Sequence, residues 1–114
     1  MDMNKTLIVI IAFGLVGCKS LDYVRSTTPV LKGETSKSVA DFTACVSSKW
    51  SGSGGYLTSL PIHNGISLQV PHPMGGYDVV LDATKSAAGT DFILYERVPS
   101  LTSSSYESSV NICK

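Results

Sequence analysis

Ile62-His63-Asn64-Gly65-Ile66-Ser67-Leu68-Gln69-Val70 lies at the middle of the chain. Asn-Gly is the strongest short hairpin signal, because a type I′ turn needs positive φ at both central positions. Behind it Ile66, Leu68 and Val70 alternate with Ser67 and Gln69, which predicts a strand with one buried face. A partner strand is expected within Tyr56 to Ile62, where Pro61 removes a ladder donor and restricts it to a sheet edge. Downstream, Pro71-His72-Pro73-Met74-Gly75-Gly76 reads as a turn. Tyr77 to Ala83 then forms a strand, with Tyr77, Val79 and Leu81 on one face and Asp78, Val80 and Asp82 on the other. Thr84 to Thr90 is expected as a loop and Asp91 to Val98 as the returning strand. The middle of the chain is thus a three- or four-stranded antiparallel meander.

Helical spacing flanks the meander. Val39, Phe42, Val46 and Trp50 fall three, four and four residues apart, one apolar stripe with Cys45 at its border. Ser38 and Asp41 resemble a capping box, so a helix is predicted from about Ser36 to Lys49. Ser51-Gly52-Ser53-Gly54-Gly55 stops it, because glycine holds a helix poorly and readily takes positive φ. At the other end Ser104-Ser105-Tyr106-Glu107 is a capping box, and Tyr106, Val110 and Cys113 make a short buried stripe. Helix, meander, short C-terminal helix is an α+β layer. Trp50 and Tyr95 are expected in its core, and Tyr56 and Tyr77 are candidate binding residues, since aromatics also cluster at recognition surfaces.

The N-terminus is of another kind. After Lys5, Leu7 to Val16 is an unbroken run of apolar residues and glycine. As a helix those ten residues rise about 15 Å, half of a hydrocarbon core of about 30 Å, so the run suits the h-region of an export signal better than a membrane span. It ends in Leu15-Val16-Gly17-Cys18, which resembles the bacterial lipobox. The resemblance implies that the Cys18 thiol receives diacylglycerol, that the signal is cut before it, and that the new amine is acylated. Lys19 stands where the enterobacterial sorting rule uses Asp for inner-membrane retention, so an outer-membrane destination is implied. The domains expected are a signal peptide over residues 1–17, a lipidated tether over 18–33, and an α+β domain over 34–114. Lys19 to Gly33 shows neither period and is read mostly as tether, with a reach of about 50 Å extended or roughly 20 Å as a coil. Leu21, Tyr23, Val24 and the Val30-Leu31 pair are apolar enough for part of it to lie on the domain.

With Cys18 assigned to lipid, Cys45 and Cys113 remain as an even pair in an exported chain, which predicts a disulfide between the first and last helices of the domain. Two cysteines with no histidine at ligand spacing do not make a zinc site, and neither metal nor cofactor is expected.

Composition limits the functions open to the domain. Hydrophobic residues are 43% and charged residues 16% of 114, which excludes a disordered chain. Nine basic residues balance nine acidic ones, so no net field attracts nucleic acid. His63 and His72 are expected in exposed loops, and no Gly-x-Ser-x-Gly elbow accompanies the serines. Asp78 and Asp82, about 13 Å apart along one strand face, are read as ordinary solvated carboxylates. A noncatalytic role is therefore expected, as an envelope binding or interaction module held to the membrane through Cys18. Ser51-Gly52-Ser53-Gly54-Gly55-Tyr56 is also similar to the Ser-Gly-Ser-Gly-x-x-Tyr loop of membrane-bound C-type lysozyme inhibitors, small lipoproteins with a C-terminal Cys. That resemblance implies a loop that enters the lysozyme active site, although one residue is missing before Tyr56 and that family is an all-β barrel. A phage lipoprotein that blocks reinfection would carry the same features.

Overall fold

The computed structural model describes residues 19–52 and 56–114. The signal peptide and Cys18 lie outside the described residues. The elements are α1 (Lys19–Ser26), β1 (Leu31–Thr35), α2 (Val39–Ser51), β2 (Thr58–Ile62), β3 (Gly65–Pro71), β4 (Tyr77–Ser86), β5 (Gly89–Glu96), a single 3₁₀ turn (Pro99–Leu101) and α3 (Ser105–Cys113). The strands form one antiparallel sheet in the order β1-β5-β4-β3-β2, five strands where three or four are expected.

The additional strand comes from the expected tether. Lys19 to Gly33 is not mostly tether: it holds a helix and the start of β1, which pairs with β5 from Leu31↔Leu94 to Thr35↔Thr90. Gly33 breaks the apolar alternation that would announce this strand, and the ring of Phe92 fills its place. A Cβ on Gly33 would stand 3.1 Å from Phe92 Cζ.

The hairpins hold, with shifted turns. Ile62 pairs with Gly65, so the two-residue turn is His63-Asn64 rather than Asn64-Gly65. Only Asn64 has positive φ, at 57°. Gly65 is needed for space instead, since a Cβ there would lie 1.9 Å from the Ala83 carbonyl oxygen. The loop expected over Thr84 to Thr90 is mostly strand, for β4 and β5 continue to Ser86↔Gly89 and turn through Ala87-Ala88. Pro61 lies in β2, an edge strand, as its missing N–H requires.

One face of the sheet carries the core. Leu68, Val79, Leu81, Phe92 and Leu94 pack there against Phe42, Val46 and Trp50 of α2 and Val110 and Cys113 of α3. Phe42 stacks on Phe92 with centroids 5.0 Å apart. Ser38 caps α2 by accepting the Asp41 amide at 3.1 Å, which places the helix start a turn later than Ser36. α2 ends at Ser51 with Gly52 as its C-cap, inside the predicted stop, although Gly52 keeps a helical φ of −64°. The cap of α3 also differs from expectation. Ser104 is itself helical and its side chain caps nothing, while Ser103 Oγ accepts the Ser105 amide at 3.3 Å. Cys45 and Cys113 form the disulfide, with Cα atoms 5.8 Å apart, and so staple α2 to α3. Closing a loop of 68 residues contributes ~4 kcal/mol on the chain-entropy account.

The opposite face is also covered, which a strand with one buried face would not need. Ser67, Gln69 and Val80 are buried on that face, and α1, whose Val24 is fully buried, lies there against β4 and β5. Arg25 of α1 donates to both oxygens of Asp82, Nε to Oδ2 at 2.9 Å and Nη2 to Oδ1 at 3.0 Å, and Nη2 also reaches Ser67 Oγ at 3.3 Å. The Asp82 hydrogen bond raises the Arg25 pKa above its ordinary value against the effect of burial. Trp50 is in the core as expected, whereas Tyr95 lies opposite Val80 on the α1 face and is only half-buried.

Candidate functional site

A cleft of ≈ 350 Å³ opens where the β4–β5 hairpin ends meet the segment leading into α3. Its lining is His72, Asp78, Arg97, Val98, Leu101, Thr102, Ser103 and Tyr106. Counting outward from Ser86↔Gly89 puts Asp78 directly opposite Arg97, and the Arg97 amide donates to the Asp78 carbonyl at 2.9 Å. Their side chains also pair, Arg97 Nη2 to Asp78 Oδ1 at 3.1 Å, each about one-third exposed. Arg97 Nε is buried and has no hydrogen-bond partner. A buried N–H without an acceptor is rare and carries the cost of its lost hydration.

The other walls are held by structure. His72 lies in the Pro71–Gly76 turn, where Gly75 and Gly76 take φ of 106° and 78° and His72 Nδ1 accepts the Met74 amide at 3.0 Å. With Nδ1 accepting, the neutral imidazole carries its proton on Nε2. Tyr106 is fixed edge-on against Trp50, centroids 5.3 Å apart, and Trp50 Nε1 donates to the Tyr106 carbonyl at 3.4 Å. Ser103 Oγ is engaged with Ser105, through both its amide and its hydroxyl. No Ser–His or His–carboxylate hydrogen bond is formed among the described residues.

Beside the cleft, Glu96 points the other way. Alternation along β5 puts it on the core face with Phe92 and Leu94, where it is 2% exposed and Oε2 has no partner. Burial, with a smaller repulsion from Glu107, pushes its carboxyl up to about 7. Two further hollows are shallower in chemistry: one of ≈ 430 Å³ beside Lys32, Asp82 and Asp91, and one of ≈ 540 Å³ beside Ser36, Ala40 and Ala88.

The residues singled out by sequence fare unequally. Cys45 and Cys113 are brought together; Cys18 lies outside the described residues. Tyr56 stands 88% exposed before β2, Tyr77 is half-buried at the start of β4, and neither lines the cleft. His63 is an exposed turn residue, but His72 is half-buried and part of the cleft. Asp78 and Asp82 are not free solvated carboxylates, since each is paired with an arginine. Arg97 and Glu96 are the residues that sequence reasoning missed. Opposite charges across a hairpin could have marked Arg97 once the turn position was known; Glu96 sits at an apolar position of an alternating strand. Among the described residues no three His, Cys, Asp or Glu side chains gather as metal ligands, and no helix is long and apolar enough to cross a membrane. No protein-family model, curated protein or solved structure matches this chain.

Proposed function

We propose that the chain is a bacterial lipoprotein, anchored to the cell envelope through acylated Cys18 and displaying a noncatalytic α+β domain as an interaction module. The observation that carries this reading is the division of the cysteines. The fold commits Cys45 and Cys113 to each other, leaving one thiol, at the end of a ten-residue apolar run inside Leu15-Val16-Gly17-Cys18. A disulfide is at home in an oxidising compartment, which agrees with export. Acylation at two or more chains supplies a firm hold without a spanning helix. Outer-membrane placement follows from Lys19 under the sorting rule. The interaction role rests on a cleft whose polar groups are braced by hydrogen bonds rather than paired for catalysis.

Mass spectrometry of the chain recovered from cells tests the anchor. A product beginning at Cys18 with the added mass of acyl groups is expected in the membrane fraction, and Cys18→Ala should abolish both the mass and the fractionation. An unmodified chain beginning at Met1 in the soluble fraction overturns the reading. Inhibition of C-type lysozyme is a second reading, favoured by the exposed Tyr56 that follows the Ser-Gly stretch; absence of inhibition by purified protein removes it.

A further inference from the structure

We propose that the cleft between the β4–β5 ends and α3 is a binding site for a neutral saccharide unit. This names a ligand for the proposed interaction module, and its geometry stands whether or not Cys18 carries lipid.

Sugars ask for two things at once: planar polar groups that bridge neighbouring hydroxyls, and an apolar surface for the C–H face of the ring. The cleft supplies both. Arg97, Asp78 and His72 are the planar polar groups, Thr102 and Ser103 add hydroxyls, and Tyr106 with Leu101 forms the apolar side. Leu101 is 85% exposed in the absence of a ligand. The Arg97 guanidinium is about one-third exposed at the cleft, and its accessible N–H groups can donate to a sugar hydroxyl.

Charge selects a neutral ligand over an anion. Asp78 lies 3.1 Å from Arg97 and offsets its positive charge, so a phosphate or carboxylate approaching the guanidinium meets a like charge beside it. Asp78 Oδ1 takes the Arg97 hydrogen bond, which leaves Oδ2 to accept from a ligand hydroxyl. The volume of ≈ 350 Å³ lies at the small end of the roughly 300–1,000 Å³ typical of ligand sites and fits a short glycan end rather than an extended chain. The walls are preorganised: Asp78 and Arg97 by the sheet ladder, His72 by the Met74 amide, Tyr106 by Trp50, and α3 by the disulfide. Rigid walls reduce the ordering cost of binding.

The test uses the full chain as recovered from cells, from whichever fraction holds it, so its outcome is separate from that of the Cys18 mass measurement. Calorimetry or ligand-observed NMR is run with glucose, galactose, N-acetylglucosamine and chitobiose, and with inorganic phosphate and glucuronate as anionic probes. Saturable binding of at least one neutral sugar is expected, with little or none of the anions. Arg97→Lys keeps a positive charge opposite Asp78 but removes the planar guanidinium, and should weaken that binding at least tenfold. Ile112→Ala, at an exposed position of α3 outside the cleft, should leave the fold intact and change affinity by less than threefold. Binding of none of the neutral sugars, binding of the anions alone, or sugar binding unchanged in Arg97→Lys each overturns the proposal.

Discussion

Glu96 is a carboxyl in a place built for an aliphatic side chain. Its neighbours along the same strand face are Phe92 and Leu94, its cross-strand partner is Val79, and Glu107 adds like charge. The folded carboxyl titrates near 7 against about 4.5 when free. A raised pKa means that the folded state binds the proton more tightly, so the stabilisation is full below about 4.5 and is lost as pH rises to about 7. Urea midpoints should therefore fall over that window. Glu96→Gln should flatten the fall and raise stability at pH 8 by on the order of 2 kcal/mol, the shift discounted for a strand-end position. A midpoint that instead rises from pH 5 to 7 in the wild type would show that Glu96 is solvated. Gly65 makes an opposite kind of demand, for space alone. Gly65→Ala drives a methyl into the Ala83 carbonyl and should cost ~2 kcal/mol or more in chemical denaturation, whereas Asn64→Gly, at a positive φ, should change stability by only a few tenths. Both residues were visible in the Asn-Gly signal, but their roles were not, because the position of the turn depends on which residues pair across β2 and β3.

α1 is an eight-residue helix, too short to be stable alone, and its place on the sheet comes from Val24 and the bidentate Arg25–Asp82 pair. Arg25→Ala removes the clasp and leaves Asp82 partly buried without its cation. Hydrogen exchange should then show loss of protection over residues 21–26 with the β3–β5 ladders still protected, and global stability lower by about 1–3 kcal/mol. Unchanged exchange in α1 would mean that Val24 alone seats the helix. The elements legible beforehand were those with a sustained period: α2 through Val39, Phe42, Val46 and Trp50, and β3 to β5 through their alternation. α1 and β1 were not, because eight residues show barely two turns of stripe and Leu31-Lys32-Gly33-Glu34-Thr35 has a glycine where an apolar side chain would signal a strand. The ring that replaces that side chain belongs to Phe92, nearly sixty residues away in sequence, and only the tertiary pairing reveals it.

At the largest scale the described residues form three layers: α1, the sheet, and the α2–α3 pair. Domains of this size hold ~5–15 kcal/mol in total, so the ~4 kcal/mol from Cys45–Cys113 is a large share. Dithiothreitol, or Cys45→Ser with Cys113→Ser, should lower the denaturation midpoint accordingly, and an unchanged midpoint would show that α3 is held by Val110 and Tyr106 packing instead. The disulfide was readable from cysteine count and the expected export; the cleft was not, because its members come from a turn, β4, the segment after β5 and the start of α3, and meet only when the hairpins are in register. The docked α1 also bears on the proposed anchor. Arg25, clasped to Asp82 of the sheet, comes seven residues after the proposed acylated cysteine, at most about 25 Å of extended chain. Were that cysteine lipidated, so short a leash would keep the folded body riding close above the membrane surface instead of roaming far from it.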